Sequence, residues 1–255
     1  MRPLRRVLIP CLLLLVGFAL LVATPAFAQD VLPSIQLSVG QASTPQEVSQ
    51  GLQVLVLLTV LTLAPSLLIM ATSFTRMVIV LSLVRQAMGT PTLPPNQVLI
   101  SLALILSFFV MTPTLTAMNE QALQPYLNGK LSQQVALERA AKPLQAFMLK
   151  QTYQKDVALF IEMAKVDPPA TPEDVPFYVL LPAFIISELK TAFQLGFVVF
   201  LPFLVIDLVV SSLLVSMGMM FLPPVTISLP FKIILFVLVD GWHLLSQALV
   251  TGFTG

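Results

Sequence analysis

Charged residues are scarce in this chain. They make up 10% of the 255 residues, whereas hydrophobic residues make up 57%. Soluble domains carry about 25% charged and about 45–50% apolar residues, and a soluble fold of this size has no core large enough for so much apolar surface. We therefore expect lipid or partner subunits to cover the excess. The formal net charge of +1 gives no basic surface for binding a nucleic acid, so we expect no nucleic-acid partner.

Cysteine and histidine are almost absent, which argues against most catalytic and metal sites. The one cysteine, Cys11, lies in a segment that we expect to be removed, so the mature chain has no disulfide and no cysteine-based metal site. The one histidine, His243, has no visible catalytic or ligand partner nearby and is interpreted as a structural residue at a helix end. Motifs of zinc proteases, serine hydrolases and nucleotide-binding loops are missing. The sequence thus predicts a protein that is not an enzyme and holds no cofactor or metal ion.

Residues 1–28 have the features of a secretory signal peptide. Three arginines within the first six residues precede an apolar stretch at 7–22, and Ala26 and Ala28 form a small-x-small cleavage site. Cleavage would leave Gln29 as the first mature residue and deliver the chain to a bacterial inner membrane. The alternative is an uncleaved anchor helix, but the apolar stretch is near the short end for crossing a bilayer.

The rest of the chain reads as an all-α protein of kinked hydrophobic helical hairpins. Its composition indicates a flexible periplasmic arm at 29–50, a first hydrophobic hairpin at 51–118, a polar helical periplasmic segment at 119–176 and a second hydrophobic hairpin at 177–255. Prolines at 65, 113 and 202 predict kinks. The apolar run at 177–222 is too long for one span, and prolines and charges interrupt it.

Four membrane spans follow from this division. A cleaved signal leaves the new N-terminus outside, so the first span runs inward. Apolar residues between 77 and 84 recur at helical spacing, which predicts helix up to Met88. The connection at 75–95 carries Arg76 and Arg85 and no acid, as expected of a cytoplasmic loop. The second span then places residues 120–176 in the periplasm, and the last two spans return the C-terminus to the outside. The prediction is a multi-pass inner-membrane protein.

Five charges lie within apolar sequence, where contact with lipid would be costly. They are Glu188, Lys190, Asp207, Lys232 and Asp240. We expect most of them to form ion pairs between helices or between subunits; a proton or ion path is the alternative. Two residues on a helix that are two positions apart do not face each other, so Glu188 and Lys190 need separate partners. Asp207 and Lys232 lie symmetrically about a turn, so an antiparallel hairpin could bring them level.

The turn between those two charges is rich in methionine. Met217, Gly218, Met219, Met220 and Phe221 precede two prolines. Methionine is unbranched and polarizable, so it adapts to irregular partners. A ring of such turns from several subunits could form a soft apolar seal, and an ordinary hairpin tip with core methionines is the alternative.

Several long, ordered motifs run through the chain after residue 72. The longest is PAFIISELKTAFQLGF at 182–197. Others are SFTR at 73–76, GTP at 89–91, PPNQV at 94–98, IDLV at 206–209, MGMM at 217–220 before two prolines, SLPFK at 228–232 and DGW at 240–242. Together they resemble the FliP family, the flagellar type III export-gate subunits related to the injectisome SctR subunits. The signal peptide favours the flagellar branch over the injectisome branch.

The resemblance implies a closed homo-oligomeric ring, a pentamer, within the flagellar basal body. It also implies FliQ-like and FliR-like partner subunits, contact with other export-apparatus membrane proteins, and passage of unfolded protein cargo. By position, Met217, Met219 and Met220 would be the gasket of the pore, with Phe221 where the family often has another methionine. The family's assembled complex sits largely above the membrane plane, which would place these helices against neighbouring subunits rather than lipid.

Three functions therefore compete. The leading hypothesis is a pore-forming subunit for protein export across the inner membrane. The second is a secondary transporter or ion channel that uses the buried carboxylates, although no inverted repeat supports a transporter fold. The third is a membrane scaffold whose segment at 120–176 binds a partner.

Overall fold

The computed structural model describes residues 45–167, 169–219 and 221–254. The predicted signal peptide with its cleavage site at Ala26, Ala28 and Gln29 lies outside these residues, as do most of the predicted arm and Met220. All regular elements in the described part are helices, as expected. They are α1 (Pro45–Met70), α2 (Phe74–Ala87), α3 (Asn96–Met118), a π-helical turn (Asn119–Leu123), α4 (Gln124–Leu127), α5 (Gln133–Gln151), α6 (Gln154–Ala164), a 3-10 turn (Pro172–Asp174), α7 (Phe177–Ser216), α8 (Pro224–Leu238) and α9 (Gly241–Thr254).

Helix α2 lies at the centre of the first core cluster. Its residues Met77, Val80, Leu81 and Val84 are buried at the three- and four-residue spacing of one helix face. They pack with side chains from the other helices: Leu99, Ala103, Ala192, Phe203, Phe236, Leu245, Leu249 and Phe253. The helix predicted to continue to Met88 is confirmed over residues 74–87. The cytoplasmic placement of the connection at 75–95 stays a prediction.

A second cluster joins the polar segment to the start of α7. Leu144 and Met148 of α5 pack with Leu180 and Phe184 of α7 and with Met111 of α3. The segment at 119–176 is helical, as the sequence predicts, and its two longest helices are α5 and α6. Both helices pack against the apolar helices α3 and α7.

Helix α7 is continuous over 40 residues, although Pro182 and Pro202 predict an interrupted run. At about 1.5 Å per residue it extends roughly 60 Å, twice the hydrocarbon thickness of a bilayer. It runs parallel to α2, since Glu188 lies against Arg76 and Gly196 lies against Leu83. A Cβ atom at Gly196 would overlap the Leu83 side chain, so glycine permits this close approach. We call residues 177–203 the base of α7 and residues 204–216 its tip.

Two helical stretches of the described residues are long and apolar enough to cross a membrane: Asn96–Leu127 and Phe177–Ser216. Pro224–Leu238 and Gly241–Phe253 would make a third span if taken together, but they meet at a bend of 64°. Asp240 occupies that bend with a φ of 53°, outside the right-handed helical region. The four-span topology stays a prediction, because several side chains of the first apolar run, at 52–70, lie outside the residues that the structure describes.

Candidate functional site

The acid that the sequence places within apolar helix, Glu188, pairs with Arg76. Arg76 Nε donates to Glu188 Oε2 at 2.9 Å, and Nη2 donates to Oε1 at 2.5 Å. Both side chains are almost completely buried. Two parallel hydrogen bonds between a guanidinium and a carboxylate form the strong bidentate geometry that a buried charge pair requires. The pair fixes the register of α7 against α2.

The remaining donors of Arg76 bind the C-terminal helix and α5. Nη1 donates to the Gly252 carbonyl at 3.1 Å, and Nη2 donates to Gln151 Oε1 at 3.2 Å. The guanidinium carbon lies 3.6 Å from the centroid of the Phe253 ring, a cation–π contact. Gln151 Nε2 in turn donates to the Phe253 carbonyl at 3.2 Å. One arginine thus connects α2, α5, α7 and α9.

A second ion pair connects α7 to α8. Lys232 Nζ lies 2.6 Å from Asp207 Oδ2 and donates to the Ala87 carbonyl at 3.1 Å. Ser228 Oγ donates to Asp207 Oδ1 at 2.6 Å. Ala87 is the last residue of α2, and a cation is favourable at a helix C-terminus. The antiparallel hairpin therefore brings Asp207 level with Lys232, as the symmetry about the turn predicts.

The two ion pairs differ in their access to solvent. The Asp207 side chain is 30% exposed, whereas that of Glu188 is fully buried. Because Lys232 reaches both Asp207 and the end of α2, the tip of α7 begins where α2 stops. Beyond that level only Val210 and Leu214 of α7 are buried.

The methionine turn lies at the far end of this hairpin. Gly218, with a φ of +74°, follows the end of α7, and the Met219 N–H bonds to the Leu214 carbonyl at 2.9 Å. This is the glycine-dependent helix end known as the Schellman motif. Met217 is 67% exposed, Met219 is 44% exposed and Phe221 is 99% exposed. The described methionines of the turn are therefore not core residues of their own chain.

Comparison with known proteins identifies the family. The FliP family model matches residues 57–249. The flagellar biosynthetic protein FliP of Bacillus subtilis (strain 168) is 54% identical over 217 residues, which cover 85% of this chain and 98% of the relative. This chain belongs to the FliP family. The relative from Pectobacterium carotovorum subsp. carotovorum is 58% identical over 80% of this chain and 79% of its own length, and that from Aquifex aeolicus (strain VF5) is 46% identical over 93% and 98%.

The FliP family resemblance expected from the motifs is thus confirmed. The relatives are named as flagellar biosynthetic proteins, so this chain is a flagellar biosynthesis component with apolar helices able to span a membrane.

Lys190 and Asp240, two of the five charges within apolar sequence, have no ion-pair partner among the described residues of this FliP-family chain. Lys190 Nζ lies 4.5 Å from the centroid of the Tyr153 ring, a cation–π contact at a partly exposed site. Asp240 is exposed at the bend between α8 and α9, where its carbonyl accepts the N–H groups of His243 and Leu244. His243 therefore lies in the first turn of a helix, consistent with a structural role.

Sequence reasoning missed the partner of Glu188. It placed Arg76 in a cytoplasmic loop, whereas Arg76 is buried in α2. The SFTR motif at 73–76, which contains Arg76, was the one feature of the sequence that pointed to this residue. It also missed Asp156, a buried carboxylate that accepts the Ser187 hydroxyl at 2.7 Å and holds α6 against α7. Among the residues that the structure describes, no three His, Cys, Asp or Glu side chains group together as a metal site.

Proposed function

We propose that this chain is a pore-forming core subunit of the flagellar type III protein export gate, through which unfolded flagellar proteins cross the inner membrane. The observation that carries the proposal is the exposed methionine turn, which lies at the end of a hairpin held in place by the Arg76–Glu188 and Asp207–Lys232 ion pairs. The exposed side chains of this turn do not contribute to the core of their own chain. They have the chemistry of a soft seal that several copies could share.

The apolar surface of the hairpin supports an oligomer. Large exposed side chains occupy much of the tip of α7 and the facing helix α8: Leu204, Val205, Leu208, Val209, Leu213, Val215, Val225, Phe231, Ile234 and Val237. Exposed apolar patches of this extent mark interaction surfaces or lipid contact. A closed ring of copies, a pentamer in our proposal, with FliQ-like and FliR-like subunits around it, would cover them inside the basal body.

The charges take separate roles in this proposal. Glu188, Asp207 and Lys232 hold the helices of one subunit in register, because each already has a partner in its own chain. Lys190 and Asp240 remain as candidates for ion pairs between subunits. A transporter or ion channel would need Glu188 or Asp207 to bind a transported ion, but both are already bonded to cations of the protein. The chain itself would perform no chemical reaction.

The seal can be tested by ion leakage. The variant Met217→Ala/Met219→Ala/Met220→Ala shortens the side chains of the turn without touching either ion pair. It should assemble normally and raise the ion conductance of membranes that contain the complex. Met163→Ala is the matched control, since Met163 is also 67% exposed but lies on α6. Unchanged conductance in the assembled triple variant would contradict the seal.

A further inference from the structure

Arg85 lies in the last turn of α2 and has no acid beside it. Its Nη1 donates to the Pro94 carbonyl at 3.2 Å and to Asn96 Oδ1 at 2.6 Å, and both acceptors are uncharged. Its Nε is buried and has no hydrogen-bond partner in the described part of the chain. A guanidinium pairs most strongly with a carboxylate. The charge of Arg85 is therefore left without a counter-charge in its own subunit.

Asp240 is the complementary case at the bend between α8 and α9. It is exposed, and its backbone carbonyl accepts the two N–H groups that follow the bend. Both ion pairs of the described residues are formed by other side chains. The Asp240 carboxylate thus lies at the surface without a cation from its own chain.

The contacts between α2 and α7 fix the level of Arg85. Arg76 lies against Glu188, and Leu83 lies against Gly196. The partners of these two contacts are 112 and 113 residues apart, so the parallel helices stay in register. Arg85 is accordingly level with residue 197 or 198 of α7.

The contacts between α7 and α8 fix the level of Asp240 in the same way. Lys232 pairs with Asp207, and the Phe236 ring lies 6.3 Å from that of Phe203. Continuing along the antiparallel α8 brings Asp240 level with residue 199 of α7. Arg85 and Asp240 therefore lie within about 3 Å of one level along α7, at 1.5 Å per residue.

The two charges are nevertheless directed to different sides of α2. The core face of α2, which includes Val80 and Val84, packs with side chains of α8 and α9. Arg85 follows Val84 by one residue, so it is turned about 100° away from that face. Its hydrogen bonds go to the loop at 94–96. Arg85 and Asp240 thus belong to two separate surfaces of the subunit.

Asp240 is the only exposed acid near this level among the described side chains. The other exposed acids all lie in the polar segment at 119–176, which packs beside the start of α7. They are Glu120, Glu138, Glu162, Asp167, Glu173 and Asp174. The start of α7 at Phe177 is about 30 Å from the level of Arg85.

We propose that Arg85 of one copy binds Asp240 of the next copy in the ring. This inference rests on the proposed function, because it requires a closed ring. Such a ring joins each subunit to the next through two different surfaces, and here one surface carries the cation and the other the acid. Cyclic symmetry keeps a given level of every copy at one height along the ring axis, so the two charges meet when α7 runs along that axis.

Exposed apolar side chains flank both charges. Leu93 and Val98 lie beside the Arg85 loop, and Leu238 and Val239 precede Asp240. In an interface these side chains exclude water from the charged pair, as the near-neutral contacts around an interface hot spot do. The apolar surroundings are thus suited to a contact between subunits.

Charge exchange tests the pairing in the full chain, expressed with the other export-apparatus proteins and extracted in mild detergent. Arg85→Asp and Asp240→Arg should each weaken ring assembly about 30-fold or more, because like charges then meet in the interface. Native gels measure the assembled fraction. Arg85→Asp/Asp240→Arg should restore assembly, since every contact again joins opposite charges. The control Arg139→Asp reverses an exposed arginine on α5 and should assemble normally.

Two results of the exchange would overturn the inference. One is normal assembly of Asp240→Arg. The other is an exchanged variant whose thermal unfolding is normal but which does not assemble, as expected if Arg85 binds a different protein or a lipid phosphate. Because Arg85→Asp also loses the hydrogen bonds to Pro94 and Asn96, a second test keeps both charges in place.

That test is chemical cross-linking in native membranes. Leu93→Cys/Val239→Cys places one thiol beside each charge, and Cys11, the only native cysteine, lies in the predicted signal peptide. A short bis-maleimide should join these chains into a covalent ladder, whereas either cysteine alone should give monomers. Cross-links from Met219→Cys but none from the double variant would overturn this pairing and leave the ring standing. Cross-links from neither would remove the ring on which the pairing depends.

Discussion

The base and the tip of α7 belong to one uninterrupted helix but are stabilised in different ways. The base buries Leu180, Phe184 and Glu188 against other helices of the same chain. The tip has only Val210 and Leu214 buried, and most of its large apolar side chains are exposed. The base folds as part of a subunit, whereas the tip is left for something outside the subunit to cover. Mean hydropathy alone therefore does not distinguish a core helix from an interface helix.

The largest expected effect concerns the ion pair of the base. Arg76→Met removes the partner of a fully buried carboxylate and should destabilise the subunit by about 3–5 kcal/mol. Arg76→Met/Glu188→Met should cost less than the single change, because no unpaired charge remains. Thermal unfolding of the purified chain in detergent measures both. If the double variant were less stable than Arg76→Met, the loss of stability in Arg76→Met could not be due to the unpaired Glu188 carboxylate.

The same substitution in the two regions makes the comparison direct. Leu180→Ala in the base should cost about 2–5 kcal/mol, because it leaves a cavity in a packed core. Leu208→Ala in the tip should change the free energy of unfolding of the separate subunit by less than about 0.5 kcal/mol. Leu180 is fully buried and Leu208 is 62% exposed. Equal losses of stability, measured on subunits separated from the assembly, would show that the tip is packed within its own chain.

The ion pair that begins the tip should matter less than that of the base. Asp207→Asn removes the charge beside Lys232 but leaves Ser228 and the Ala87 carbonyl in place. We expect a loss of roughly 1.5–3 kcal/mol, the usual contribution of a hydrogen bond to a charged group. Chemical denaturation, with Asp167→Asn as a control on an exposed acid, measures the difference. A loss larger than that for Arg76→Met would reverse the proposed order of the two pairs.

The smallest expected effect on stability is at the end of the hairpin. Phe221 is almost fully exposed, so Phe221→Ser should change the free energy of unfolding by less than about 0.5 kcal/mol. It should still raise ion leakage through the assembled complex, because a polar side chain replaces an aromatic one in the proposed seal. Conductance and thermal unfolding measured on the same preparation separate the two effects. Lower stability with unchanged leakage would place Phe221 in the core of its subunit.

The two ion pairs also show what a sequence can reveal. Asp207 and Lys232 are 25 residues apart and symmetrical about a turn marked by Gly218 and two prolines, so local rules predict their contact. Arg76 and Glu188 are 112 residues apart. Their contact depends on the parallel packing of α2 on α7, which no local pattern specifies. The helical class and the family followed from composition and motifs.

Other features were missed because tertiary packing overrides local preference. Pro182 and Pro202 predicted breaks, yet α7 continues through both. The apolar run at 225–250 predicted one span, yet Asp240 bends it by adopting a positive φ. Gly241 follows that bend, and a Cβ atom there would overlap the Phe236 ring. The sequence contains these residues, but it does not show which distant residues will pack against them and decide their conformation.

The most direct test of the account is cross-linking at the methionine turn. Met219→Cys places a thiol where copies of the turn would meet in a ring, and the mature chain is expected to hold no other. Oxidation in native membranes should then join chains into covalent dimers, while Met163→Cys on α6 should give monomers only. Covalent dimers from position 163, with none from position 219, would contradict the proposal that neighbouring copies meet at this turn.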